Sequence, residues 1–297
     1  MAEERATANG IEVVYETIGD PSNPPLLLVM GLGMQLIHWD RELCEQLAAR
    51  GFLVIRFDNR DSGRSTQVEA PVPNLRRAMA GLRIDAPYLL DDMAADAFGL
   101  LDHLGIEAAH VVGASMGGMI AQTMAIERPE RVLSLTSIMS TTGERRAGRP
   151  KLRVWSVLTR RAPRDKDAYV DYFARVFRMI GSKDLPPEDE DRIRQVAAAT
   201  YERGHHPAGS GRQLAAILAS GDRTEGLRGL RVPTTVVHGR ADPLVPLRGG
   251  RATARAIPEA RLIEIPGMGH DLPQQVWPRI VDAVAETAER ATPVKVA

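Results

Sequence analysis

The pentapeptide Gly113-Ala114-Ser115-Met116-Gly117 sets a serine between small residues in a G-x-S-x-G pattern. Glycines at the outer positions let a chain turn sharply from strand into helix, and that turn holds the serine oxygen clear of the backbone. The flanks suit it: Ala109 to Val112 reads as a buried strand, and Gly118 to Arg128 as a helix. A helix N-terminus under Ser115 brings unpaired N–H groups and a positive dipole end, which favour negative charge developing beside it. The chemistry such a serine offers is nucleophilic attack with a covalent intermediate.

A serine hydroxyl is a weak nucleophile, so it needs a base, and the base needs an acid to orient it. On a strand-to-helix turn of this kind the partners follow in the order serine, carboxylate, histidine. Four of the seven histidines lie after Ser115: His205, His206, His238 and His270. His205 and His206 adjoin Pro207 in a loop, and His238 ends a buried run. His270 stands in the loop Gly267-Met268-Gly269-His270, after the last apolar strand and before the terminal helix, where a base can reach across to Ser115. Asp242, in Val237-His238-Gly239-Arg240-Ala241-Asp242-Pro243, lies just past the carboxyl end of the preceding strand and is the expected acid. Asp222 and Glu225 precede that strand, and Asp271 is too near His270 along the chain to approach its ring easily. Acyl transfer also requires donors for an oxyanion. These are the N–H of Met116 and one from the loop Gly31-Leu32-Gly33-Met34, Leu32 being the expected donor and Gly33 the alternative.

These residues must be presented by a sheet. Leu26 to Met30 is a short uninterrupted apolar run, as a strand buried on both faces requires, and similar runs recur at 52–57, 110–112, 132–135, 235–237 and 261–265. Helical periodicity covers 40–50, 91–104, 118–128, 249–257 and 276–290, with Gly51, Gly105 and Pro129 at the stops. Alternating strand and helix predicts a mainly parallel sheet covered on both faces. An antiparallel hairpin opens the chain, turning at Asn9-Gly10 before the strand 11–18. The buried-strand signature is absent between Ser140 and about Gly226, so the expected organisation is a core of 1–140 and 227–297 with a helical cap inserted over 141–226. Within the insertion, Val170, Phe173, Phe177 and Ile180 form one apolar helical face. Met34, Trp155, Phe173 and Phe177 are the candidate substrate contacts, and the aromatic residues from Trp155 to Phe177 with Met179 are expected to roof Ser115 with an apolar ceiling. The alternative is that nine basic residues between Arg145 and Lys166 face the cleft and select anions.

Thirty-eight Lys+Arg balance thirty-eight Asp+Glu, so no net field draws nucleic acid or an anionic membrane. No apolar stretch approaches the length of a membrane helix, and an acidic start without a leader-like apolar run points to the cytoplasm. Cys44 is the single cysteine and is expected to be a buried small hydrophobe. No cysteines or histidines stand at metal-ligand spacing, so no metal is expected.

From the Gly31-Leu32-Gly33 loop to His270 the chain resembles the α/β-hydrolase superfamily. The segment Val54 to Ser65, with Asp58, Arg60, Gly63 and Ser65, together with Ala109 to Gly117, is similar to the aclacinomycin methylesterase-like branch. That resemblance implies an eight-stranded, mostly parallel sheet, a helical cap, no cofactor, and hydrolysis of a small-molecule carboxylic ester through Ser115, Asp242 and His270. It further implies that Asp58 to Ser65 is chiefly structural. Where relatives carry His-Gly at the oxyanion loop, this chain has Met30-Gly31. Methylester hydrolysis of a polyketide-type metabolite, carbon–carbon bond hydrolysis and perhydrolysis use the same three residues and stay open, as does a non-catalytic small-molecule receptor. The oligomeric state is not legible.

Overall fold

Asn9 and Gly10 both take left-handed backbone conformations, with φ of 48° and 77°. The chain reverses there, and Glu4–Ala8 (β1) pairs antiparallel with Ile11–Ile18 (β2), Ala8 opposite Ile11. The computed structural model describes residues 3–75, 77, 84–144, 147, 148, 154, 162–183 and 186–291.

The remaining strands are Pro25–Val29 (β3), Leu53–Phe57 (β4), Ala109–Ala114 (β5), Val132–Ile138 (β6), Thr234–Gly239 (β7) and Arg261–Ile265 (β8). They form one eight-stranded sheet in the order β1-β2-β4-β3-β5-β6-β7-β8. The pairs β1/β2 and β2/β4 are antiparallel and all others parallel. Each apolar run of the sequence is therefore a strand. After β3 the chain adds β4 on one side and later β5 on the other, so the strand order reverses at β3 and β5. Connections leaving a parallel sheet at such a reversal diverge and open a crevice at the carboxyl ends of the strands.

Period-two alternation assigns the two faces of the sheet. Leu27, Val29 and Val111 face a core shared with Leu90–His103 (α2) and Met116–Glu127 (α3). Leu26, Leu28 and Val112 face a second core, filled by Leu43 and Leu47 of Arg41–Ala49 (α1) and by Trp277, Ile280 and Val284 of Trp277–Glu289 (α9). Asp40 caps α1 by accepting from Glu42 N–H at 2.9 Å. Gly51 and Gly105, at φ 87° and 69°, follow the ends of α1 and α2. Cys44 lies fully buried in the second core, and burial pushes its thiol up to about 12.

Between β6 and β7 the described residues contain Lys166–Ile180 (α4), Pro187–Arg203 (α5), Pro207–Ser220 (α6) and Thr224–Arg228 (α7), and no strand. Leu247–Ala256 (α8) joins β7 to β8. Asp165 caps α4 through Ala168 N–H at 2.9 Å, and Phe173 and Ile180 are buried along its inner side. One expectation fails here. Met179 is 40% exposed and does not join an apolar ceiling. Two residues along a helix rotate by about 200°, which puts Met179 opposite Phe177. Trp155 and the basic residues Arg145, Arg146, Arg149, Lys151, Arg153, Arg160 and Arg161 lie outside the described residues. Lys166 pairs with Glu202 at 2.5 Å, and Arg164 is exposed.

Candidate active site

Ser115 follows β5 with φ 57° and ψ −117°, a conformation that L-residues rarely adopt and that costs on the order of 1–3 kcal/mol. The glycines on either side explain how the turn is accommodated. A Cβ on Gly117 would lie 2.0 Å from Val29 O, and one on Gly113 would lie 2.2 Å from Gly117 O. The backbone thus doubles back against the end of β3 at a distance no side chain tolerates. Ser115 N–H donates to Ile138 O at 2.9 Å and Ser140 Oγ donates to Ser115 O at 2.8 Å, tying the turn to β6 and its exit. α3 starts at Met116, so the Met116 N–H has no acceptor within the helix.

His270 and Asp242 come from neighbouring loops that are laced together. Arg240 N–H donates to Ile265 O and Ala241 N–H to Met268 O, both at 3.0 Å. A Cβ on Gly239 would meet Met268 O at 2.2 Å, so the two loops touch backbone to backbone. Asp242 Oδ1 accepts from Leu244 N–H at 2.8 Å and Val245 N–H at 2.9 Å, which aims Oδ2 at His270. His270 Nδ1 lies 2.7 Å from Asp242 Oδ2, and Nε2 lies 2.9 Å from Ser115 Oγ. The carboxylate can only accept, so Nδ1 carries the proton and Nε2 is free to accept from the serine hydroxyl. Asp242 is 3% exposed and His270 8%, while Ser115 is partly open to the cleft. The three expected residues meet in one hydrogen-bonded line.

The Gly31–Met34 loop leaves β3 directly beside Ser115. A Cβ on Gly31 would stand 3.2 Å from Ser115 Cβ. Within 32–36 the N–H groups are mostly taken: Gly33 by Gln213 Oε1 at 2.7 Å, Met34 by Gly31 O at 3.2 Å, Gln35 by His38 Nδ1 at 3.0 Å and Leu36 by Asp58 Oδ1 at 2.6 Å. Leu32 N–H alone has no acceptor among the described residues, which favours Leu32 over Gly33 as an anion donor. The Asp58 to Ser65 segment is a brace: Asp58 also accepts from Arg64 N–H and from Arg203, and Ser65 Oγ donates to Asp58 O.

Above Ser115 lies a cavity of about 240 Å³ walled by Met34, Phe173, Phe177, Ile193, Leu272 and Trp277, with Leu32 and His270 at its base. Phe173 and Phe177 stack with centroids 4.7 Å apart. Its rim is polar, and its side chains are held by partners. Arg192 bridges to Asp40 at 2.5 Å and lies 5.3 Å over the Trp277 ring, and Asp189 accepts from Gln275 at 2.9 Å. Tyr169 and Tyr172 line an adjoining cavity of about 760 Å³ and not this one, so only part of the expected aromatic ceiling faces Ser115.

Several contacts were not anticipated from sequence. His238 Nε2 lies 2.8 Å from Val245 O and 3.7 Å from Asp242 Oδ2, and burial lowers its pKa, so a neutral His238 donates to Val245 and steadies the acid's turn. The His238/Asp242 spacing of four was its one local sign. Asp271 accepts from Ser182 N–H at 2.9 Å and Ser182 Oγ at 2.6 Å, while His270 N–H donates to Ile180 O at 2.8 Å. The end of α4 is thereby fastened to the histidine loop. Burial raises the Asp271 pKa against the lowering effect of the Ser182 bonds.

The family model for the α/β-hydrolase fold matches residues 24–273. The chain belongs to the α/β-hydrolase family. It is 30% identical to rhodomycin D methylesterase DauP of Streptomyces sp. (strain C5) over 98% of this chain and 100% of the relative. To rhodomycin D methylesterase DnrP of Streptomyces peucetius it is 29% identical over the same shares. Among solved structures, the enol-lactonase of Burkholderia xenovorans superposes with a TM-score of 0.76 at 22% identity, covering 97% of this chain and 100% of that one. Among the described residues no helix is long and apolar enough to cross a membrane.

Proposed function

We propose that this α/β-hydrolase is a carboxylic ester hydrolase acting on small to medium, mainly apolar esters, with Ser115 as nucleophile, His270 as base and Asp242 as its orienting acid. One observation carries the reading: His270 spans Ser115 Oγ at 2.9 Å and Asp242 Oδ2 at 2.7 Å. The methylesterase relatives support ester hydrolysis as the reaction.

Ser115 Oγ attacks the ester carbonyl carbon while its proton passes to His270 Nε2, and Asp242 stabilises the imidazolium. The carbonyl oxygen becomes an oxyanion that accepts from Leu32 and Met116 N–H. On collapse the carbon–oxygen bond to the alcohol breaks and His270 returns the proton to the leaving oxygen. Water, deprotonated by His270, then attacks the acyl-serine; the acid leaves and Ser115 regains its proton.

Residues 141–226 act as the cap. Their helices α4 and α5 contribute Phe173, Phe177 and Ile193 to the wall over Ser115, and Arg192 at the rim is paired with Asp40. An apolar group buried here gains roughly 25 cal/mol for each Å² withdrawn from water. Turnover of p-nitrophenyl acetate, butyrate and octanoate tests the reading. Wild-type protein should hydrolyse them and Ser115→Ala should not; turnover that survives Ser115→Ala would refute it.

A further inference from the structure

The oxyanion loop is held from outside the sheet. Residues 31–34 form a turn closed by Met34 N–H to Gly31 O, with Gly33 at φ 68° and Leu32 at negative φ, the signature of a type II turn. Gly33 lies against α6: a Cβ there would stand 2.6 Å from Ser210 Oγ. One turn further along α6, Gln213 is fully buried and reaches the same peptide. Its Oε1 accepts from Gly33 N–H at 2.7 Å, and its Nε2 donates to Arg60 O at 2.7 Å and Ser62 Oγ at 3.0 Å. The amide cannot turn over, because its NH₂ would then face the Gly33 N–H and its oxygen the Arg60 carbonyl.

We propose that Gln213, 180 residues away in sequence from Gly33, is a positioning residue for the oxyanion hole. The central peptide of a turn can rotate between its type I and type II forms, and the Gln213 bond holds the Leu32–Gly33 peptide in one of them. Gly33 N–H is thereby withdrawn as a competing donor, and the turn that presents Leu32 N–H stays fixed. The cap is on this view part of the catalytic assembly: its α6 sets the geometry in which the transition state is stabilised. The inference rests on the esterase reading above.

The test compares three variants with p-nitrophenyl butyrate and a trifluoromethyl ketone that forms a tetrahedral adduct on the serine. Gln213→Met is close to isosteric but removes all three bonds. It should lower kcat about 10- to 100-fold, up to the cost of a misplaced catalytic group and below the roughly 100- to 1000-fold of a deleted oxyanion donor, with KM within about threefold. Ketone affinity should fall in parallel with kcat/KM. Arg212→Lys is the control. Arg212 is the next residue of α6 and pairs with Asp61 at 2.6 Å, so it loosens the same helix without touching the loop, and kcat should stay within about threefold. Gln213→Glu gives the conservative rescue. Its protonated carboxyl can accept from Gly33 N–H and donate to Arg60 O, whereas its carboxylate faces the Arg60 carbonyl. The ratio of its kcat to wild type should therefore rise as pH falls, and this arm decides the matter if Gln213→Met does not fold. Unchanged kcat in Gln213→Met, an equal loss in Arg212→Lys, or a pH-independent ratio for Gln213→Glu would each overturn the inference alone. A wild-type chain with no Ser115-dependent turnover would overturn the esterase reading and the inference with it.

Discussion

Replacing Asp242 by Asn keeps the shape of the side chain and changes one hydrogen-bonding face. Asp242 Oδ1 is held by two backbone donors, Leu244 N–H at 2.8 Å and Val245 N–H at 2.9 Å. In Asp242→Asn the amide oxygen must stay with those donors, since turning it over would set NH₂ against two buried N–H groups. The NH₂ then faces His270 Nδ1, where the carboxylate oxygen stood at 2.7 Å. A donor at that point makes Nδ1 the acceptor and moves the ring proton to Nε2, the atom 2.9 Å from Ser115 Oγ. His270 then points a proton at the nucleophile and cannot take one from it. The wrong tautomer costs about 10⁴ in kcat, equivalent to about 5.4 kcal/mol in the barrier. Neither the cleft wall nor the loop packing changes, so KM and Tm should hold close to wild type. Stopped assays with p-nitrophenyl butyrate at pH 7.5, beside thermal melts of both proteins, measure all three quantities. A folded Asp242→Asn that keeps kcat within tenfold of wild type would refute both the tautomer argument and the assignment of the acid.

Phe177→Ala removes one side of the apolar wall. For each ~50 Å² of ester left in water, binding should weaken by about 1.3 kcal/mol, so KM should rise roughly tenfold for octanoate and far less for acetate; a uniform rise across the series would place Phe177 away from the acyl group. His110 is 6% exposed in β5, bonds Ser134 Oγ at 2.8 Å, and burial lowers its pKa from 6.5 to about 4. The unfolded chain therefore binds that proton first, and this contribution to stability is present above pH 6.5 and drains away as pH falls toward 4. Urea unfolding should show wild type losing about 2 kcal/mol more than His110→Asn between pH 7 and pH 5. Equal acid slopes would show that the histidine is not held neutral.

Ser115, Asp242 and His270 were legible in sequence because each sits at an element boundary. The apolar runs ending at Val112, Val237 and Ile265 are strands, and in a parallel sheet their carboxyl ends share one edge. The helical face Val170, Phe173, Phe177 and Ile180 is legible from its spacing, and the same spacing sets Met179 apart from the apolar ceiling expected to include it. Leu32 is the donor expected from sequence, but Gly33 stays beside it as an alternative there. The bond that distinguishes them comes from Gln213, and no local pattern announces a partner 180 residues distant. The fastening of Ser182 to Asp271 has no local signature for the same reason, at a separation of 89 residues. Pairs of this sort depend on how the inserted helices settle on the sheet, a matter of tertiary packing that composition and periodicity do not encode.

The most direct test is where a serine-directed reagent attaches. A fluorophosphonate reacts only with a hydroxyl that has a base to take its proton, and eleven serines compete for it. Intact-mass measurement and peptide mapping should find a single adduct on Ser115, its formation slowed by orders of magnitude in His270→Ala. A label on another serine, or no label on a folded chain that still hydrolyses ester, would contradict the assignment of Ser115 as nucleophile.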